Sequence, residues 1–277
     1  MPCLCAVRNC EDLRRNQKSK LLSDFPCILY SQNISHHKLK IISLCDIQHK
    51  LSKKIAFSLH KIREQKLRYH KTSIASLSRH WDDVYMDRPP HEMSWYQQIP
   101  LESLALIKAS LVPKHAPIID IGGGDGTLIR FLWELGYTDL TMLDISMEAI
   151  QNARQQMGGD ASSIHWVNCD ILDFVSNQYF QLWHDRAVFH FLTQDDQISQ
   201  YVQMASSMIK KDGLLIIATF SVEGPNQCSG LQVQQYDVQS LVDIFSPCFR
   251  LIDSKYALHT TPSGTDQHFV YTSFRKI

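Results

Sequence analysis

Residues 117–127 read PIIDIGGGDGT, and this stretch decides the fold. Residues 118–121 form a short apolar run that only Asp120 interrupts, as expected of a buried parallel strand. The glycines that follow predict a sharp turn where a ligand can approach the backbone more closely than a Cβ atom permits. Residues 127–135, TLIRFLWEL, place their apolar side chains on one helical face. The stretch therefore predicts a strand, a glycine turn and a helix, with a nucleotide-type ligand at the carboxyl end of the strand.

The spacing of the glycines discriminates between ligands. A dinucleotide-binding G-x-G-x-x-G motif that starts at Gly122 requires a glycine at position 127, where Thr127 stands. Instead Gly122, Gly124 and Gly126 alternate, and Asp120 precedes them. This D-x-G-x-G-x-G pattern resembles that of S-adenosylmethionine (SAM)-dependent methyltransferases with a doubly wound sheet. The resemblance implies that Asp120 and the three glycines contribute to a SAM site, whereas a simple loop is the alternative interpretation of the glycines.

Acidic residues follow the next two predicted strands. The apolar run at 140–145 contains Asp144, which lies where an acid at the end of a second strand meets ribose hydroxyls. A carboxylate there can accept two hydrogen bonds from the diol, although Asp144 could also belong to the start of a helix over 147–157 that Ser146 caps. Residues 164–171 predict a third strand with Asp170 near its end.

The resemblance assigns two of these positions more closely. It implies that Asp170 accepts the adenine amino group and that Ile171 packs on the adenine ring; a surface acid is the alternative for Asp170. Ile145, next to Asp144, is assigned to the cofactor in the same way. Because the carboxyl ends of parallel strands meet at one edge of a sheet, Asp120, Asp144 and Asp170 are expected to converge there.

The remaining chain continues this alternation. Residues 178–183 predict a fourth strand, 194–210 a helix with a broad apolar face, and 214–220 a fully buried fifth strand. Residues 249–256 and 267–274 alternate as two final strands around a turn. Residues 76–277 are thus predicted to form an α/β fold, a doubly wound Rossmann-like sheet of seven strands with a C-terminal antiparallel hairpin.

An aromatic segment precedes the glycine turn. Residues 80–85 read HWDDVY and residues 92–96 read EMSWY, and Arg88-Pro89-Pro90 between them ends a helix. These motifs resemble the start of thiopurine-methyltransferase-like enzymes and of a group of protein-lysine methyltransferases. The resemblance implies that Trp95 contacts the cofactor and that the other aromatic residues, Trp81, Tyr85 and Tyr96, close over the substrate mouth. Core packing is the alternative role for these rings.

The predicted fourth strand leads into a second polar motif. Residues 183–190, WHDRAVFH, fit the W-x-D-R-A-x-x-H pattern and resemble the same two groups of methyltransferases. By this resemblance Asp185 orients the methionine amino group, positions the methyl acceptor or takes its proton. His184 is the second candidate for catalysis. His184 and His190 are equally compatible with packing on a helix face.

Charged residues are distributed unevenly along the chain, although the formal net charge is zero. Residues 1–80 contain 16 Lys/Arg and 5 Asp/Glu, and residues 81–277 contain 12 and 23. We therefore predict a basic N-terminal extension over residues 1–75, with a basic helix over 50–69. A targeting segment and a nucleic-acid-binding arm are possible functions, but a poorly packed appendage or translated upstream sequence is favoured, because no aromatic stacking pattern accompanies the charge.

Composition excludes several other classes. No apolar run reaches 18 residues, and no signal peptide is expected, so we predict a cytoplasmic protein without a membrane partner. The spacing of the cysteines does not favour a zinc site, and no metal is expected. We further expect a monomer, no nucleic-acid partner, and reduced cysteines at the three C-terminal positions, Cys169, Cys228 and Cys248.

The sequence thus predicts a SAM-dependent methyltransferase that acts on a small molecule or a protein lysine. Two other functions stay open at this point. One is a nucleotide-binding oxidoreductase, which Thr127 disfavours. The other is a non-catalytic protein that binds SAM and interacts with partners through its basic N-terminal segment.

Overall fold

Nine strands and six α-helices are present in residues 44–277, the part of the chain that this computed structural model describes. The strands are β1 (Ile118–Ile121), β2 (Leu140–Asp144), β3 (Ile164–Asn168), β4 (Phe180–Arg186), β5 (Ile209–Phe220), β6 (Gln227–Cys228), β7 (Leu231–Gln232), β8 (Phe249–Thr260) and β9 (Asp266–Lys276). The helices are α1 (Leu44–Asp87), α2 (Leu101–Ala109), α3 (Thr127–Glu134), α4 (Met147–Met157), α5 (Asp195–Met208) and α6 (Val238–Phe245). Side chains in residues 44–73 are described only in part.

Seven of these strands form one sheet in the order β3-β2-β1-β4-β5-β9-β8. The first five positions in this order are mutually parallel, and β9 runs antiparallel to both β5 and β8. The short strands β6 and β7 pair only with each other. The predicted doubly wound sheet with its antiparallel C-terminal hairpin is therefore confirmed.

The two faces of the sheet are covered by different helices because successive side chains in a strand point to opposite sides. One face buries Ile118 and Met142 against α2, α3 and α4. The other buries Ile119, Ile121 and Trp183 against α5 and α6. Burial of the apolar side chains that these helices turn towards the sheet is the main force that holds the layers together.

Several predicted strands have different bounds in the structure, and the fifth begins at Ile209, within the predicted helix at 194–210. The third ends at Asn168, and residues 171–173 form a 3₁₀ turn because the Asp170 side chain accepts a hydrogen bond from the Leu172 N–H. The fourth lies at Phe180–Arg186 instead of 178–183. His184 and Asp185 extend this strand despite their polarity, since both side chains have hydrogen-bond partners inside the protein.

The predicted basic helix at 50–69 and the helix predicted to end at Arg88-Pro89-Pro90 are both parts of α1, which ends at Asp87. Residues 61–277 form a compact unit, and the proposed division of the chain near Ser76 stays a prediction. The predictions for residues 1–43, including those for four cysteines, lie outside the described residues. In the part described, no helix is both long and apolar enough to cross a membrane.

Candidate active site

A cavity lies at the carboxyl ends of β1, β2 and β4, beneath the end of α1. Nine of the eleven site residues predicted from the sequence line it: Trp95, Asp120, Gly122, Gly124, Asp144, Ile145, Asp170, Ile171 and His184. The other two, Gly126 and Asp185, do not. The convergence arises because parallel strands all end at the same edge of the sheet.

Asp144 is a buried acid in the wall of the cavity. Its carboxylate is 6% exposed and accepts one hydrogen bond on each oxygen, from the Gly124 N–H at 2.9 Å and from the Ser146 N–H at 2.8 Å. These two bonds fix the side chain between the glycine turn and the start of α4. Since each carboxylate oxygen can accept a second hydrogen bond, Asp144 retains the capacity to bind a vicinal diol.

The charge state of Asp144 depends on pH near neutrality. Burial raises the pKa of the Asp144 carboxyl to about 6, although the hydrogen bonds from Ser146 and Gly124 lower it. The carboxylate therefore predominates above pH 6. A ligand that donates hydrogen bonds to both oxygens favours this ionised form.

The last turns of α1 cover the cavity and are fixed to α4. The Asp82 carboxylate accepts hydrogen bonds from the Ser146 hydroxyl at 2.7 Å and from the Glu148 N–H at 3.2 Å. Trp81 and Tyr85, on the same part of α1, each make edge-to-face contact with the Trp95 ring. The aromatic residues predicted to close the site thus form one cluster above it.

The glycine turn requires glycine for steric reasons. Gly122, Gly124 and Gly126 all have positive φ angles, between 59° and 76°. A Cβ atom on Gly122 would lie 2.1 Å from Val188 Cγ2, and one on Gly124 would lie 2.8 Å from the Tyr85 hydroxyl. Gly126 has a different function: it begins α3, and its lack of a Cβ atom lets α3 pack against Ala153 of α4.

We expect the substitution Gly124→Ala to impair both stability and ligand binding. The left-handed backbone costs about 1–2 kcal/mol for an L-residue, and the new methyl group displaces Tyr85 from the cavity wall. Gly136→Ala is the matched control, because its φ is 85° and a Cβ atom there meets nothing within 4 Å. In urea unfolding both variants should lose stability, but only Gly124→Ala should weaken binding of S-adenosylhomocysteine. Equal binding by the two variants would contradict this role of Gly124.

Asp170 and Ile171 form the end of the cavity next to β3. The Asp170 side chain caps the 3₁₀ turn by accepting the Leu172 N–H at 2.8 Å, and Ile171 is 6% exposed. An acid and an apolar side chain therefore lie together at this end, as the assignment to an adenine ring requires.

A buried chain of three polar side chains lines the cavity beside the glycine turn. His184 Nδ1 lies 2.7 Å from Asp120 Oδ1, and His184 Nε2 lies 2.9 Å from the Ser103 hydroxyl. Asp120 and His184 are paired residues on the neighbouring strands β1 and β4, so their side chains emerge on the same face. With Nδ1–H donating to the Asp120 carboxylate, Nε2 accepts the Ser103 hydroxyl proton.

Asp185 occupies the opposite face of β4. It is fully buried, and its carboxylate accepts hydrogen bonds from the Tyr201 hydroxyl at 2.6 Å and from the N–H groups of Val188 and Phe189. Burial raises its pKa to about 6 despite these bonds. The structure thus does not bring Asp185 into the cavity. Its contacts instead hold the segment after β4, which includes Val188 in the cavity wall.

Ser103 and Arg186 are two polar residues of the cavity wall among those that the sequence did not predict. Ser103 lies on α2, outside every motif recognised in the sequence. Arg186 follows Asp185 and is the last residue of β4. Its position within the W-x-D-R-A-x-x-H pattern is the signal from which it could have been predicted as a site residue. Both line the same cavity as His184.

Comparison with known proteins gives one family match. Residues 118–213 match a protein family described as a methyltransferase domain. The protein is an enzyme in which this part of the chain is similar to such a domain. No curated protein matches the chain in sequence.

Solved structures share the fold of this methyltransferase domain. A SAM-dependent methyltransferase from Anabaena variabilis is 14% identical, with 74% of this chain and 95% of that chain covered and a TM-score of 0.59. The N-methyltransferase NodS from Bradyrhizobium japonicum, in complex with S-adenosylhomocysteine, is 17% identical, with 71% and 98% covered and a TM-score of 0.55. The 1,6-didemethyltoxoflavin-N1-methyltransferase from Burkholderia thailandensis is 18% identical, with 77% and 89% covered and a TM-score of 0.55.

SAM is the cofactor of this family of methyltransferase domains. The residues of the cavity fit it. Asp144 offers two carboxylate oxygens with remaining acceptor capacity, as a ribose diol needs. Asp170 provides a hydrogen-bond acceptor and Ile171 an apolar wall at one end of the cavity. Beside them, the three glycines at 122–124 line the cavity with backbone atoms, because they have no side chains.

Proposed function

We propose that this protein transfers the methyl group of SAM to a nucleophilic atom of a small-molecule acceptor. The observation that carries the proposal is the position of Asp144, buried between the glycine turn and α4 with both oxygens oriented by backbone N–H groups. Such an oriented carboxylate at the end of β2 recognises a ribose diol.

The cofactor contacts follow from the lining of the cavity. Asp144 and Ile145 bind the ribose, and Asp170 and Ile171 bind the adenine ring. Gly122 and Gly124 let the cofactor lie against the backbone, and Trp95 closes the cavity above it. When bound, SAM supplies an electrophilic methyl group on its sulfonium. The protein contributes mainly alignment of the acceptor and exclusion of water, which α1 and its aromatic cluster provide.

The chain of Ser103, His184 and Asp120 accepts the proton of the methyl acceptor. The Ser103 hydroxyl passes its proton to His184 Nε2 as it takes the proton of the acceptor, and Asp120 stabilises the resulting imidazolium. This assignment replaces Asp185 as the first catalytic candidate, because the Asp185 carboxylate is enclosed on the other side of the sheet.

A small molecule is favoured over a protein lysine as the acceptor. Aromatic side chains enclose the cavity at its mouth: Trp81, Trp95, Tyr96 and Phe191. Flat apolar walls suit a small organic compound. The Burkholderia enzyme of the same fold was crystallised with the small molecule 1,6-didemethyltoxoflavin and S-adenosylhomocysteine. A protein lysine is the second candidate, supported by the resemblance of residues 80–96 to lysine methyltransferases.

Incubation with methyl-labelled SAM and cell extract tests the proposal. The extract is divided beforehand into proteins and small molecules, and labelled products are counted in each. We expect label in the small-molecule fraction. Label in protein would favour the lysine acceptor, and binding of S-adenosylhomocysteine without any transfer would identify a non-catalytic SAM-binding protein.

A further inference from the structure

Arg186 presents a guanidinium group to the cavity from the end of β4. Its Nε donates a hydrogen bond to the Tyr271 hydroxyl at 3.2 Å, and its Nη1 donates to the Trp95 carbonyl at 3.1 Å. The guanidinium also lies over the Phe269 ring, 4.9 Å from its centroid. These contacts hold the guanidinium in one orientation within the cavity wall.

The positive charge of Arg186 is not balanced by the protein. Its three contacts are all with uncharged groups, and in the described part of the chain Arg186 forms no ion pair. Its Nη2 atom is buried and has no hydrogen-bond partner there. Since a buried charge is costly unless it is paired and hydrogen-bonded, the guanidinium is incomplete without an anion.

A second buried polar group, His190, lies close to this charge. His190 Nδ1 lies 3.4 Å from the Phe220 backbone nitrogen, and the ring also forms a hydrogen bond with the Ala187 backbone. Nε2 is buried and has no partner among the described residues. Burial and the charge of Arg186 lower the pKa of His190 to about 3, so the ring stays neutral. Because His190 does not line the cavity, the protein offers a ligand there the Nη2 group of Arg186 and its positive charge.

Resting on the proposed methyltransferase function, we propose that Arg186 binds an anionic group of the methyl acceptor, such as a carboxylate. A guanidinium fixed through Nε and Nη1 can donate from Nη2 to a planar anion, and such charge-assisted bonds are strong and directional. The acceptor is therefore a small molecule that carries a negative charge in addition to its nucleophilic atom.

Arg186 lies apart from the residues assigned to the adenosyl group, and the titration described below decides between an anion of the acceptor and the carboxylate of the cofactor. The residues assigned to the adenosyl group follow β2 and β3, on one side of β1. Arg186 ends β4, on the other side, and its contacts are with Trp95 and with Tyr271 and Phe269 of β9. The anion therefore belongs to the part of the cavity farther from the adenosyl residues.

The test uses the full chain, methyl-labelled SAM and a small-molecule extract separated beforehand by anion exchange. We expect label only in reactions with the retained, anionic fraction. With the labelled acceptor purified, Arg186→Gln should lower kcat/KM about a hundredfold, mainly through KM. Arg186→Lys should lose less, because it keeps the charge. Arg250→Gln, on the exposed side of the edge strand β8, is the control and should leave kcat/KM unchanged.

Calorimetric titration with S-adenosylhomocysteine distinguishes the alternatives and reports on folding. We expect Arg186→Gln to bind it with unchanged affinity. A tenfold loss would assign Arg186 to the cofactor carboxylate and overturn the proposal. Label in reactions with the unretained fraction, or an unchanged KM in Arg186→Gln, would also overturn it. If no fraction is labelled although S-adenosylhomocysteine binds, the proposed function itself fails.

Discussion

Replacement of Asp144 by alanine is expected to weaken binding of S-adenosylhomocysteine by at least tenfold. The substitution removes the acceptor for both ribose hydroxyls, and a hydrogen bond to a charged group contributes about 1.5–3 kcal/mol. It also leaves the N–H groups of Gly124 and Ser146 without their acceptor. The glycine turn then keeps the hydrogen bonds from the Gly122 and Gly123 N–H groups to the Leu143 carbonyl. Isothermal titration calorimetry measures the change directly.

Two further variants separate the diol contact from general damage. Asp144→Asn keeps the shape and one carbonyl oxygen, and we expect an intermediate affinity. Asp243→Asn, on the exposed side of α6, should bind as the unmodified protein does. If Asp144→Ala folds and binds with unchanged affinity, the assignment of Asp144 to the ribose is wrong.

The same carboxylate predicts a pH dependence. Because burial raises the pKa of Asp144 to about 6, the group is protonated below this value and loses acceptor capacity. Affinity for S-adenosylhomocysteine should therefore rise between about pH 5 and pH 7 and then change little up to pH 8. Titrations of Asp144→Asn over the same range should lack this rise. A rise of equal size in the variant would assign the titration to another group.

Replacement of His184 by glutamine is expected to lower kcat by about a hundredfold or more, as loss of a general base does. Glutamine can preserve both hydrogen bonds, because its amide donates to Asp120 and accepts from Ser103. It cannot hold the proton of the acceptor. Affinity for S-adenosylhomocysteine should stay within about threefold, since the binding residues are retained. Steady-state rates with the acceptor identified by labelling provide the measurement.

A control variant distinguishes a catalytic function of His184 from general damage to the protein. His165→Gln, at an exposed position of β3, is the matched control and should keep the full rate. A normal kcat in His184→Gln would exclude the proposed proton path.

The architecture of the sheet and one side of the site could be predicted from the sequence. Asp144 is the last residue of β2, Asp170 lies two residues after the end of β3, and the glycine turn after β1 has a recognisable spacing. Local patterns of this kind suffice because parallel strands place their carboxyl ends at a common edge. The positions of these residues around one cavity follow from chain order alone.

Local sequence patterns could not predict which of His184 and Asp185 faces the cavity. The predicted fourth strand ended at Trp183, so His184 and Asp185 both seemed available to the same ligand. In the structure His184 and Asp185 are neighbours within β4, and neighbouring residues of a strand point to opposite faces of the sheet. His184 therefore reaches the cavity whereas Asp185 does not. Ser103 could not be predicted, because its contact with His184 depends on how α2 packs on the sheet.

A crystal structure of the protein with S-adenosylhomocysteine tests the central claim most directly. We predict that the ribose hydroxyls contact the Asp144 carboxylate, that the adenine ring lies between Asp170 and Ile171, and that the sulfur faces the cavity beside His184. A ligand bound elsewhere, or an adenosyl group that does not contact Asp144, would contradict the account.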